Sequence, residues 1–181
     1  MAAAKQDAVA LLKADHRKVE DLFEKFESAR KAERKAALAK EICTELTVHA
    51  IIEEEIFYPA CKGEIEENLL HEAYVEHDGA KVLIAEIDAS TPEDEFFDAK
   101  VKVLSEHIKH HVHEEEMRSE GMFAQAKAAG LDVDDLGERL AMRKKELMAE
   151  IESNGLPAPE TRSFTGHTLE QGTPIERAAA E

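Results

Sequence analysis

The sequence predicts an all-α fold, an up-down-up-down four-helix bundle with an additional C-terminal helix and an extended tail. Three observations carry this. Glycine and proline supply only 8 and 5 of the 181 residues, against 43% apolar and 35% charged, a balance that favours long helices over turns. Apolar residues recur three and four apart through four successive segments, the repeat of one helix face. The connections between those segments are a few residues long, which makes consecutive helices antiparallel neighbours.

The first segment, residues 6–30, places Val9, Leu12, His16, Val19, Phe23 and Phe26 on one seam. The second runs from about Arg34 to Cys61 through Leu38, Ile42, Leu46, His49, Ile52, Glu53 and Ile56, with Pro59 and Gly63 marking its end. The third, about Glu64 to Ala89, shows Leu70, Ala73, Tyr74, His77, Ala80, Ile84 and Ile87. His71 falls about 120° round that helix, outside the seam. Thr91, Pro92, Glu93 and Asp94 have the chemistry of a helix start: a capping hydroxyl, a proline, then acids at the positive end of the dipole. The fourth helix then carries Phe97, Val101, Leu104, either His107 or Ile108, His111 and Glu115, and continues toward Met122 and Phe123.

Residues 1–130 are thus expected to form the bundle. Residues 131–155 hold a fifth helix packed on or beside it, Leu131 to Asn154, capped by Asp132, stopped by Gly155, and presenting Arg139, Arg143, Lys144 and Lys145 to solvent. Residues 156–181 contain three prolines and no sustained periodicity and read as an extended tail, to which His167 belongs.

A formal net charge of −17 repels phosphate backbones and anionic lipid, so the expected partners are cations rather than nucleic acid or a membrane. No run of eighteen apolar residues and no signal-peptide core occurs, and the expected location is cytoplasmic. Cys43 and Cys61 fall on one helix roughly 27 Å apart, too far for a disulfide, and read as buried free thiols.

The seams contain what an apolar core does not need. Each of the four helices places one histidine near its middle (His16, His49, His77 and His111), and Glu53 and Glu115 follow two of them by four residues. A lone seam histidine is more often a satisfied core residue, and a lone glutamate more often part of a solvated face. Six together, in register, describe a metal site. Imidazole and carboxylate without thiolate suit iron, zinc or manganese, and two carboxylates in one core suit a pair of ions that they bridge. Spacing does not separate iron from manganese.

In HAIIEEEIFYP (residues 49–59) and HVHEEE (residues 111–116), and over residues 6–127 as a whole, the chain resembles the hemerythrin-like, or HHE cation-binding, domains. The resemblance implies a four-helix bundle holding two non-haem iron ions and a bridging oxygen species. It implies that His16, His49, His77 and His111 are terminal ligands and that Glu53 and Glu115 bridge the irons. Two departures stand out. Oxygen carriers of the family have a further histidine where this chain has Ala73, and their fourth-helix carboxylate is an aspartate five residues after the histidine, where this chain has Glu115 four residues after His111. Two imidazoles and two carboxylate oxygens per iron would leave a position open on each, which favours reactivity over carriage. His107 or Tyr74 could fill the gap. The expected function is a diferrous centre that reacts with dioxygen, peroxide or nitric oxide, with a catalase-like or peroxide-reducing activity. The alternative is an oxygen-, redox- or iron-sensing module, or an iron store, acting on a protein partner through the C-terminal tail.

Overall fold

The computed structural model describes residues 6–164. Helix α1 (Ala8–Ser28) starts at Asp7, whose carboxylate accepts the Ala10 N–H. Helix α2 (Ala32–Ile52) runs directly into a π-helical turn (Glu53–Phe57) and a last α-turn, α3 (Tyr58–Cys61). Then follow α4 (Glu67–Asp88), α5 (Phe97–Glu116), the short α6 (Met122–Ala128) and α7 (Val133–Asn154). Helix α1 packs on α2, α2 on α4, α4 on α5 and α5 back on α1, which closes a four-helix ring. Rungs such as His16 to His49 and Lys18 to Glu45 pair later residues of one helix with earlier residues of the next, as antiparallel neighbours must.

The apolar core is two blocks. One, around Phe23, Phe26, Ile42, Ile87, Phe97 and Leu104, draws its buried residues from the four bundle helices, with Leu156 packed against it. The other, around Leu12, Ile52, Phe57, Leu70, Phe123 and Leu140, also takes in α6 and α7. Side chains as completely buried as Leu104 and Leu140 stabilise the fold by roughly 2 kcal/mol each. Between the blocks lies a layer of buried histidine and glutamate, described below.

Helix α7 lies against α1, α2 and the π turn. Gly137 makes this approach possible, since a Cβ there would sit 2.4 Å from the Gln6 carbonyl oxygen and 2.8 Å from the Ala8 nitrogen. Gly155, at φ 83°, ends α7 in the left-handed conformation that costs glycine nothing. The chain then returns across the bundle to α4, where Asp78 Oδ2 accepts from the backbone N–H groups of Arg162 and Ser163 and from the Ser163 hydroxyl. The predicted tail is therefore a docked strap as far as Phe164; His167 and the rest lie outside the described residues. No helix among the described residues is long and apolar enough to cross a membrane.

Four local expectations need correction. The second helix is not uniform: Ile56, expected on the seam, is half-buried, while Phe57 and Tyr58 are fully buried, because the π turn inserts one residue and shifts the phase of everything after it. Thr91 does not start a helix. Its N–H and hydroxyl both donate to Asp94 Oδ2, and the Asp94 N–H donates to the Thr91 carbonyl, so the capping chemistry closes a turn and α5 begins only at Phe97. The fourth helix stops at Glu116, and Met122 and Phe123 sit on a separate helix. Finally, the cationic face of α7 is only partly solvated. Arg143 grips Glu55 with two nitrogens, at 2.7 and 3.2 Å, and Lys144 bonds Asp15 of α1.

Candidate metal centre

The structure brings His16, His49, Glu53, His77, His111 and Glu115 together, all buried, in the layer between the two apolar blocks. They fall into two groups that meet at the carboxylates. In the first half, His16 Nε2 and His49 Nε2 face each other at 3.1 Å, with Glu115 Oε2 at 3.4 Å from His16 and Glu53 Oε2 at 3.2 Å from His49. In the second half, His77 Nε2 and His111 Nε2 face each other at 3.2 Å, with Glu53 Oε2 at 3.4 Å from His77 and Glu115 Oε1 at 3.6 Å from His111.

All four imidazoles turn Nε2 inward and Nδ1 toward a carboxylate, which is within hydrogen-bond distance for three of them. His16 Nδ1 donates to Glu116 at 2.8 Å, His77 Nδ1 to Glu54 at 3.0 Å and His111 Nδ1 to Glu76 at 2.7 Å, while His49 Nδ1 faces Asp15 at 3.6 Å. A carboxylate only accepts, so it fixes the proton on Nδ1 and leaves the Nε2 lone pair for a cation. The four braces form a closed circuit. Asp15 of α1 supports the histidine of α2, Glu54 of the π turn that of α4, Glu76 of α4 that of α5, and Glu116 of α5 that of α1. Each brace is the sequence neighbour of an inward ligand: Asp15 of His16, Glu54 of Glu53, Glu76 of His77, Glu116 of Glu115. Neighbours on a helix point about 100° apart, so as one aims at the centre the other reaches the next helix.

Facing lone pairs need a positive charge between them. In the protein alone that charge is a proton. Burial opposes protonation of His16, but its bonds to Glu115 and Glu116 outweigh burial and raise it to about 9; His77 is likewise raised to about 9 by Glu53 and Glu54 against burial. Burial would also raise Glu115, yet His111, His16 and His49 hold it well below the usual carboxylate range. Glu53 Oε1 and Glu115 Oε2 are nevertheless buried without accepting any hydrogen bond. Such oxygens cost several kcal/mol unless a cation meets them. Two nitrogens bound to one ion at about 2.1 Å and at right angles lie about 3 Å apart, which is the separation of each imidazole pair. Donor types, tautomers, orphaned oxygens and spacing all fit a metal ion in each half.

Two candidates from the sequence lie outside the site. His107 faces solvent and does not supply a fifth imidazole. Tyr74 is only half-buried, with its ring against Tyr58 and the Arg162 guanidinium 5.0 Å from its centroid. The tyrosine of the site is Tyr58, whose hydroxyl donates to Glu115 Oε1 at 3.0 Å and lies 3.2 Å from His77 Nε2 and 3.3 Å from Glu53 Oε2. The π turn puts it there: the Tyr58 N–H bonds the Glu53 carbonyl five residues back, so the two side chains share a face, whereas in an α-helix they would point about 140° apart. Burial, together with Glu115 and Glu53, pushes the Tyr58 hydroxyl well above its usual range, so it remains a donor. Ala73, where carriers of the resembled family have a further histidine, is buried in the apolar block.

Comparison with known proteins identifies the family and the fold. Residues 7–123 match the hemerythrin HHE cation binding domain. A DNA nickase of Nostoc sp. (strain PCC 7120) is 30% identical over 106 residues, 59% of this chain, although the match spans only 30% of the nickase's own length. The crystal structure of a hemerythrin HHE cation binding domain-containing protein from Mycobacterium kansasii superposes with a TM-score of 0.68 at 21% identity, covering 83% of this chain and 94% of that one. With a bundle of the same fold, a family match over most of its length and two convergent sets of buried histidine and glutamate, the chain belongs to the hemerythrin HHE cation-binding domain family.

Proposed function

We propose that the two halves hold a non-haem di-iron centre which, when reduced, reacts with dioxygen, peroxide or nitric oxide, and that the small molecule binds in the second half. The observation that carries this is the asymmetry around Glu115. In the first half both carboxylates converge on the imidazole pair, whereas in the second only Glu53 does so and Glu115 Oε1 accepts from the Tyr58 hydroxyl, which also lies 3.3 Å from the shared Glu53 Oε2. The second half is therefore short of one protein oxygen and has a hydrogen-bond donor beside the gap. A bound pair of irons supplies two one-electron changes, enough to interconvert dioxygen and peroxide without releasing a radical. The chain's own part is to hold Nδ1 protons on the braces, keep Glu115 ionised, and aim one neutral O–H at the open side.

A cleft of about 880 Å³ runs from the strap into the bundle past Ala50, Ala80 and Ile84, and reaches all four imidazoles. It gives a small molecule a path to the imidazoles along the edge of the apolar blocks. The strap also favours a second reading, a sensing module. Glu54, the brace of His77, is gripped by Lys81 at 2.7 Å and by Arg162 of the strap at 3.4 Å, and Lys81 donates to the Glu160 carbonyl. A change at His77 thus has a short mechanical route to the C-terminal segment and to any protein that binds it. DNA cleavage is not carried over from the nickase: the shared segment is a minor part of that protein, and a net charge of −17 gives no general attraction to phosphates.

The deciding experiment is to load the protein with iron, measure metal per chain, reduce it without air, admit oxygen, record the optical spectrum and then evacuate. The expected outcome is about two irons per chain and oxidation that evacuation does not reverse. A spectrum that returns fully to the reduced form would make the protein a carrier instead. Oxidation with no turnover of added peroxide would place the sensing module ahead of peroxide chemistry.

A further inference from the structure

Three of the four braces have a fixed cation on their outer side. Asp15 bonds Lys144; Glu54 bonds Lys81 and faces Arg162; Glu116 bonds Arg17 at 2.6 Å and faces Lys13 at 3.7 Å. The fourth is different. Among the described residues Glu76 has no lysine or arginine partner. Its Oε2 accepts from His111, and its Oε1 lies 3.5 Å from His110 Nε2, which is itself 3.2 Å from Glu114 Oε1. Where the circuit elsewhere places a positive side chain, here it places an imidazole and a second carboxylate.

We infer that Glu76, His110 and Glu114 form a separate site for a first-row divalent cation, such as Zn2+ or Fe2+, on the outside of the bundle. The three stand one position before His77, His111 and Glu115, so adjacent registers of α4 and α5 offer imidazole and carboxylate both inward and outward. The pair His110 and Glu114 is one turn apart on a single helix, and Glu76 closes the triangle from the neighbouring helix. One ligand atom from each lies within 4.8 Å of the others. One imidazole and two carboxylates suit zinc or ferrous iron better than calcium or magnesium, which take oxygen alone. The His110 side chain is 65% exposed, so water completes the coordination. Glu76 is already oriented by His111, which lowers the entropy lost on binding. The bound cation takes the place that lysine and arginine fill at the other three braces.

The test is calorimetric titration of the metal-loaded protein with Zn2+, with metal analysis of each sample before and after dialysis. One additional zinc per chain is expected, weakened roughly tenfold or more in His110→Ala and in Glu114→Gln, both of which keep their inner metal. His110→Lys, which supplies the missing positive side chain directly, is expected to lose the extra zinc and also keep the inner metal. The inference is overturned if the loaded wild-type protein takes up no additional zinc, or if uptake is unchanged in the His110 and Glu114 variants. Loss of inner metal in the wild-type protein would count against the di-iron reading and is reported separately by the same metal analysis.

Discussion

The two halves of the centre are built from the same parts yet are not equivalent. Each has a facing imidazole pair about 3 Å apart and carboxylate braces behind it. In the first half, His16 stacks on Phe123 and the ligands are completed by Glu53 and Glu115; in the second, His77 stacks on Tyr58, whose hydroxyl engages Glu115. A near-symmetric bundle thus acquires two unequal halves through a single backbone irregularity, the π turn that brings Tyr58 onto the face of Glu53. On the proposed reading, symmetry supplies binding and the departure from it supplies a place for chemistry.

The largest effect is expected where the halves meet. Glu53 touches both imidazole pairs, so Glu53→Ala should lower iron from about two to less than one per chain. His111→Ala should empty the second half alone. The exposed His71→Ala, on the outer face of α4, should leave the content unchanged. Metal analysis of the three proteins checks this, and a Glu53→Ala protein that keeps both irons would show that the carboxylate is not shared.

Much of this arrangement was legible in the sequence, and what was not has definite causes. The seam histidines and the glutamates at i+4 obey the α-helical repeat, so all six converge where the repeat puts them. Tyr58 was hidden because i+5 is on-face only in a π turn, which no composition or periodicity announces. The braces leave a trace in the sequence, an acid next to an inward ligand in Asp15–His16, Glu53–Glu54, Glu76–His77 and Glu115–Glu116, but their role depends on which helix is the spatial neighbour. Thr91 failed for the opposite reason: correct capping chemistry can close an isolated turn as well as open a helix.

The next effect is on stability, and it depends on pH. With metal removed, protons on His16 and His77 replace the ions. Both are raised from 6.5 to about 9, so their contribution is complete below 6.5 and is lost as pH rises through 9. Metal needs the imidazoles deprotonated, so its own contribution grows over the same range. At a free metal concentration near a thousand times its dissociation constant, binding is worth about 4 kcal/mol, or roughly 10 °C in melting temperature for a chain of this size. The stripped protein should melt lower than the loaded one, and the gap should widen from pH 6.5 to about 9. Equal melting temperatures throughout would contradict the buried placement of these ligands.

Smaller effects should distinguish the halves from behind. Glu116→Gln removes the carboxylate charge behind His16 in the first half, and Glu54→Gln does the same behind His77 in the second. Each substitution should weaken metal roughly 10- to 100-fold in its own half only. Glu54→Gln should also loosen the strap, since Lys81 and Arg162 lose their carboxylate, whereas Glu116→Gln should leave it docked. Hydrogen exchange across residues 156–164 reads this difference, and equal protection in both variants would remove the proposed route from His77 to the C-terminal segment.

The smallest change in structure carries the sharpest question. Tyr58→Phe deletes one buried hydroxyl and keeps the ring that stacks on His77. The expected cost in stability is about 1 kcal/mol, and iron should remain at two per chain because no ligand is lost. Glu115 Oε1 is then released from its donor, so the second half regains a carboxylate oxygen and loses the O–H beside its open position. The two halves become alike. Reaction of the reduced protein with oxygen or peroxide should slow, while the first half, which Tyr58 reaches only through its longer 3.3 Å contact with the shared Glu53 Oε2, keeps its metal affinity. Stopped-flow oxidation of the iron-loaded variant measures this directly. An unchanged rate with unchanged iron would mean that the tyrosine only fills space, and that the difference between the halves lies elsewhere than at Glu115.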